Sequence, residues 1–112
     1  MRGLTVRWSL AEAPAGVEAE LADYVADSSH ERFTGMAGLS YKTWRLRPGE
    51  WFEGVYVFAD AAARSAFQEK FTAGAAEAPG SVIIGSAPVL IEPCEVVAIA
   101  EGADGFSATP RA

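Results

Sequence analysis

Leu39-Ser-Tyr-Lys42-Thr-Trp44-Arg-Leu-Arg-Pro48-Gly49-Glu-Trp51-Phe-Glu-Gly54-Val-Tyr56-Val-Phe58-Ala-Asp60 is the stretch on which the fold turns. Residues 39–46 and 51–59 are rich in β-branched and aromatic side chains, and Pro48-Gly49 between them is a turn pair. The two runs are close enough to form an antiparallel hairpin. Asp60 then suits the N-cap of a helix, because its carboxylate can accept from the free N–H groups of a first turn. Ala63, Ala66, Phe67, Lys70 and Phe71 keep three-and-four spacing along that helix, which should end before Pro79-Gly80.

Upstream of the hairpin, Leu4, Val6 and Trp8 alternate with Thr5 and Arg7, the period of a half-buried strand. Pro14 fits the start of a helix whose apolar face is Val17, Leu21, Tyr24, Val25 and Ser28, with Phe33 as a last anchor. Gly35 and Gly38 supply the permissive backbone that ends it. Downstream, the Val- and Ile-rich run from Ser81 to Ile91 reads as a last strand, resuming over 95–100, and Pro88 places it at a sheet edge. The order β-α-β-β-α-β predicts an α+β, ferredoxin-like domain over residues 1–100, a four-stranded antiparallel sheet with two helices on one face. Residues 101–112 read as a loose C-terminal tail.

Alternation also assigns the sheet faces. An ammonium is costly to bury beneath a helix, so Lys42 and its companion Trp44 are expected on the face away from the helices. Gly54, Tyr56 and Phe58 are expected to join them there, with Val55 and Val57 under the helices. A wet surface of that kind calls for a cover, and a second copy of the chain would supply one.

The composition excludes several classes of function. Nine basic against fifteen acidic residues in 112 give a net charge of −6, with the bases scattered, so nucleic acid is not an expected partner. No apolar run approaches the roughly 20 residues of a membrane span. Cys94 is the only cysteine, which rules out an intramolecular disulfide. A soluble cytoplasmic protein is expected, with Cys94 as a buried structural thiol. One His and one Cys make no His/Cys metal site, and nucleophile-elbow, dinucleotide and phosphate-loop motifs are absent.

The segment Gly38-Leu-Ser-Tyr-Lys42-Thr-Trp44, followed by Gly54-Val-Tyr56-Val-Phe58-Ala-Asp60 and the alanine-rich helix with Ala66-Phe67, resembles the small YdhR-type mono-oxygenases. That family belongs to the dimeric α+β barrel superfamily, with the antibiotic-biosynthesis mono-oxygenases. The resemblance covers about residues 3–100, and the run after Pro79 departs from the pattern. It implies a homodimer whose sheets close into a barrel, and a cleft for a hydrophobic aromatic or polyketide-like substrate. It further implies oxidation by O₂ with no metal, flavin or haem cofactor. Lys42, Trp44 and Tyr56 match the motif as pocket residues.

Cofactor-free oxygenation requires a phenol or enol to lose its proton and the anion to be stabilised. Lys42 is the candidate for the charge, and Tyr56 or His30 for a hydrogen bond or proton transfer. Trp44, Trp8 and Phe58 are candidate substrate contacts. The structural alternatives are a lysine that snorkels to solvent, aromatics that only pack, and a solvated histidine at a helix end. Glu53 and Trp51, near the turn, read as exposed rim residues. A cyclase or isomerase on the same scaffold, or a non-catalytic dimer that binds a hydrophobic ligand, are the other functions open at this point.

Overall fold

A computed structural model describes residues 1–106 of the chain. Strand β1 (Arg2–Ser9) buries Leu4, Val6 and Trp8, as its alternation requires. Strands β2 (Leu39–Arg47) and β3 (Trp51–Phe58) form the expected hairpin, and β4 (Leu90–Glu95) pairs with β1. All pairs are antiparallel, in the order β2-β3-β1-β4, which is the ferredoxin-like arrangement.

The first helical rod is built of α1 (Val17–Tyr24), a π-helical stretch over Val25–Ser29 and α2 (His30–Phe33), with right-handed helical backbone at each junction. Its buried residues are Val17, Leu21, Val25, Ser29 and Phe33, a strict spacing of four. On an ordinary α-helix such a stripe drifts by about 40° per step. The wider i→i+5 turn of the π stretch takes up that drift and keeps the stripe on the sheet. Ser29 therefore replaces Ser28 as the buried serine, and the rod reaches Phe33 still facing the core.

Helix α3 (Ala61–Ala73) starts where expected: the Asp60 carboxylate accepts from Ala63 N–H at 2.8 Å. Gly38 lets α3 approach, since a Cβ there would come within 2.8 Å of the Ala63 Cβ, and its φ of +82° is also unfavourable for an L side chain.

The segment after α3 corrects the sequence reading. Residues 81–84, expected to begin the last strand, belong instead to helix α4 (Pro79–Ile84). Pro79 opens it, where a missing N–H costs nothing, and Gly85 closes it in the left-handed conformation at φ +89°. These caps override the β-branched run Val82-Ile83-Ile84, and Ile84 is buried in the core. The last strand starts only at Leu90 and runs through Pro93 to Glu95. It lies at a sheet edge, where a proline's missing donor is tolerated. Residues 96–100, expected to extend it, are not strand.

The faces of the sheet are the reverse of those expected. Tyr56 and Phe58 lie under the helices, with ring centroids 4.9 and 5.5 Å from that of Phe67 on α3, and Tyr56 is 5.8 Å from Phe33 on α2. Trp44 packs at the margin of the same cluster. The face away from the helices carries Thr5, Arg7, Thr43, Arg45 and Glu53 beside Val55 and Val57. Glu53, read as exposed, is fully buried there: Arg7 donates to its Oε2 at 2.9 Å, and Arg45 donates to its Oε1 through Nε at 2.6 Å. Trp51 lies against both guanidinium groups, 4.6 Å from that of Arg7 and 5.7 Å from that of Arg45. The premise that a lysine must point away from the helices was the error. The case for a dimer built on an aromatic open face loses its ground with it.

Cys94 is exposed rather than buried, beside Gly3 on the outer strand. No helix among the described residues is long and apolar enough to cross a membrane. Residues 101–106 of the tail are described and hold a turn in which Gly105 N–H donates to Gly102 O at 2.9 Å; residues 107–112 lie outside the described residues.

Candidate functional site

A cavity of about 810 Å³ lies along edge strand β2. The first helical rod contributes Val25, His30 and Phe33 to its wall, β2 contributes Lys42, Trp44 and Leu46, and β3 contributes Phe52. Ser40, Tyr41, Thr43 and Arg45 also line it, so the space wraps the outer edge of β2. Ile99, Ala100, Glu101 and Phe106, all beyond β4, complete the lining. Its size and largely apolar lining suit a small organic molecule.

Lys42 is the chemical centre of this wall. Its Nζ lies 3.5 Å from the centroid of the Phe33 ring, 4.5 Å from that of Trp44 and 4.3 Å from that of Tyr56. Three elements converge to make this cage. The π stretch delivers Phe33, alternation along β2 puts Trp44 beside Lys42 on the helix side, and cross-strand pairing sets Tyr56 opposite Lys42. Gly54 leaves the room: a Cβ there would meet Tyr56 Cε1 at 3.1 Å, Lys42 Cε at 3.2 Å and Tyr56 Oη at 3.3 Å.

No ion pair joins Lys42 to a carboxylate among the described residues. Burial, and secondly the like charge of Arg32, bring its pKa from the ordinary 10.5 to about 6. The ring faces work against that fall, because they attract the ammonium. The outcome is an amine with a substantial neutral fraction near pH 7. Tyr56 moves the other way: burial pushes its phenol pKa up, with the Arg32 charge opposing, so its hydroxyl stays a donor.

Of the residues singled out in the sequence, Lys42, Trp44 and His30 all border the cavity, and Tyr56 backs the Lys42 nitrogen. His30 sits against Trp44 with ring centroids 5.9 Å apart, rather than at a solvated helix end. Trp8 and Phe58 stand elsewhere. Trp8 is a core residue whose indole N–H donates to Ser81 Oγ at 2.9 Å, between Phe52 and Phe71. Phe58 is buried between Tyr56 and Phe67. Neither belongs to the cavity lining. Phe33 was legible only as a helix anchor, and nothing in linear spacing pairs it with Lys42. Among the described residues no group of three or more His, Cys, Asp or Glu is placed to hold a metal ion.

This chain is similar to one from Nitrosomonas europaea. That structure is described as the crystal structure of NE2512, a protein of unknown function. The two share 29% sequence identity over 91% of this chain and 94% of the other, with a TM-score of 0.67. The likeness supports the α+β ferredoxin-like fold and brings no activity with it. No protein-family model and no curated protein matches the chain.

Proposed function

We propose that the chain is an enzyme that binds a hydrophobic aromatic or polyketide-like molecule beside β2 and oxygenates it with O₂, using Lys42 as base. The observation that carries this reading is the placement of a lysine amine, without a carboxylate partner among the described residues, among three aromatic rings at the wall of an 810 Å³ cavity.

A phenolic or enolisable substrate lying against Trp44 gives its proton to the neutral Lys42 amine. The ammonium so formed stays beside the substrate anion and stabilises it, in surroundings dry enough to strengthen the attraction. The electron-rich anion transfers electrons to O₂, and a carbon–oxygen bond forms. Loss of water from the resulting hydroperoxide leaves a carbonyl: a CH₂ group and O₂ become C=O and H₂O, the substrate supplying the electrons that reduce the second oxygen atom. His30 on the cavity wall is the donor nearest the developing charge, with Tyr56 Oη, held protonated, behind Lys42. The same base and donors would serve an isomerase, which differs in needing no O₂.

Oxygen consumption with anthrones and hydroquinones tests the reading. Native protein should take up O₂, Lys42→Met should lose most of the rate, and Tyr56→Phe should lose part of it. Uptake that ignores both substitutions would refute the assignment.

A further inference from the structure

We infer that Lys42 is also a nucleophile, and that the cavity captures aromatic aldehydes or ketones as a Schiff base on its Nζ. The inference rests on the same site as the proposed function but requires different chemistry of it.

Four features of the geometry meet what imine formation asks of a protein. The amine has no carboxylate partner among the described residues to hold it charged, and it stands at a cavity wall rather than at the open surface. The cavity beside it has room for a ring system, with Trp44 and Phe33 as flat apolar walls. Those rings exclude water from the lysine, which protects a C=N bond against hydrolysis. A hydroxyl stands near the lysine stem as well, since Tyr56 Oη and Lys42 Cε both lie within 3.3 Å of the point a Gly54 Cβ would occupy.

The step balances without any further reagent. The Nζ lone pair attacks the carbonyl carbon and forms a carbinolamine, one proton passing from nitrogen to oxygen. Donation by the Tyr56 hydroxyl lets the carbinolamine oxygen leave as water, and the nitrogen's second proton returns to Tyr56. The product is a neutral imine on Lys42 and one water, with no change in oxidation state. A base requires only that the substrate carry an acidic proton, whereas this role selects ligands with a carbonyl on or next to a ring.

The chain simplifies the test, because Lys42 and Lys70 are its only lysines and Lys70 is exposed on α3. Full-length protein is incubated with 2-naphthaldehyde and sodium cyanoborohydride at pH 7, and adducts are located by peptide mass spectrometry. Reductive capture at Lys42 should outpace capture at Lys70 at least tenfold, and Tyr56→Phe should slow it several-fold while leaving Lys70 unchanged. A folded protein that labels Lys70 or the N-terminal amine as fast as Lys42 overturns the inference. Parallel O₂ measurements separate the two roles of the lysine. Capture without O₂ uptake leaves the nucleophile and removes the oxygenase. Uptake that depends on Lys42, without capture, leaves only the base.

Discussion

Lys42 and Tyr56 are cross-strand partners in the β2–β3 ladder, and the lysine nitrogen stands 4.3 Å from the centroid of the tyrosine ring. Burial moves each of them in the direction its chemistry needs: the amine is driven toward neutrality, and the phenol is kept protonated. The pair therefore offers a base and an acid side by side near neutral pH.

The titration of Lys42 should appear in stability. Its folded pKa of about 6 lies below the ordinary 10.5, so between those values the unfolded chain binds the extra proton and stability rises with pH. Below pH 6 both states are charged and the burial penalty is fully present. The slope from this one group is at most about 1.4 kcal/mol per pH unit. Lys42→Met, which keeps the packing volume but not the charge, should lack it. Urea denaturation of both proteins at several pH values from 6.5 to 9 should show the native protein gaining on the variant as pH rises. Parallel curves would mean that the amine stays charged in the fold.

Gly54→Ala should act on the same pair from beneath. The added methyl meets the Tyr56 ring and the Lys42 stem at 3.1–3.3 Å, so one of them must shift. The lysine stem can give way more readily than strand backbone, which puts the cost at about 1 kcal/mol, the low end for overpacking. Reactivity at Lys42 should fall more than stability does. Thermal melts alongside naphthaldehyde capture separate the two, and a variant that melts and reacts like the native protein would show that Gly54 is not what makes the room.

What the sequence disclosed, and what it hid, divides along physical lines. The hairpin, the Asp60 cap and the edge position of the last strand depend on local turn, capping and proline chemistry, and each was legible in a few residues. The choice of sheet face was not, because alternation fixes which residues share a side but not which side meets the helices. Burial cost then misled: Lys42 lies under the helices as an amine among rings, while Glu53 tolerates full burial because two arginines reach it. The meeting of Phe33, legible as a helix anchor, with Lys42 was hidden for a different reason. The position of the ring depends on a π stretch that no three-and-four pattern predicts.

The buried carboxylate gives an asymmetric prediction. Arg7 and Arg45 keep side-chain exposures of 38% and 58%, whereas Glu53 has none. Glu53→Gln leaves arginines that can turn toward water, and should cost about 2 kcal/mol. Replacing both arginines with methionine strands a charge that cannot escape, and should cost about 3–5 kcal/mol. Urea denaturation of the single and double variants gives the comparison. Equal losses would contradict the burial of Glu53, since two partners with the same access to water would be equally replaceable.

Ser81→Ala tests the helix that replaced the expected strand. Ser81 Oγ accepts from the Trp8 indole N–H at 2.9 Å and donates to Ala75 O at 2.6 Å, so its loss orphans the buried indole donor, while Ala75 O keeps the Ala78 N–H at 3.3 Å. A cost of about 1–3 kcal/mol is expected. The emission of Trp8 should change as well, because the indole loses its partner in the core. A strand over 81–91 would alternate its side chains and gives no reason for one serine to hold that indole. A neutral substitution with unchanged fluorescence would therefore count against α4.

The segment beyond β4 supplies the last prediction. Strand β4 ends at Glu95, and its flank is tied by Val96 N–H donating to Met1 O at 3.2 Å, so the described residues beyond 96 add no strand pairing. Ile99, Ala100, Glu101 and Phe106 nevertheless form part of the cavity lining, with Ile99 and Phe106 largely exposed on their other sides. Truncation after Val96 should leave the melting temperature nearly unchanged and weaken binding of 1-naphthol several-fold, measured by quenching of tryptophan fluorescence. The two readouts discriminate between roles for this segment. A fall in melting temperature with unchanged affinity would make it a brace for the sheet, whereas the reverse result makes it a wall of the site, placed where a ligand against Trp44 would meet it.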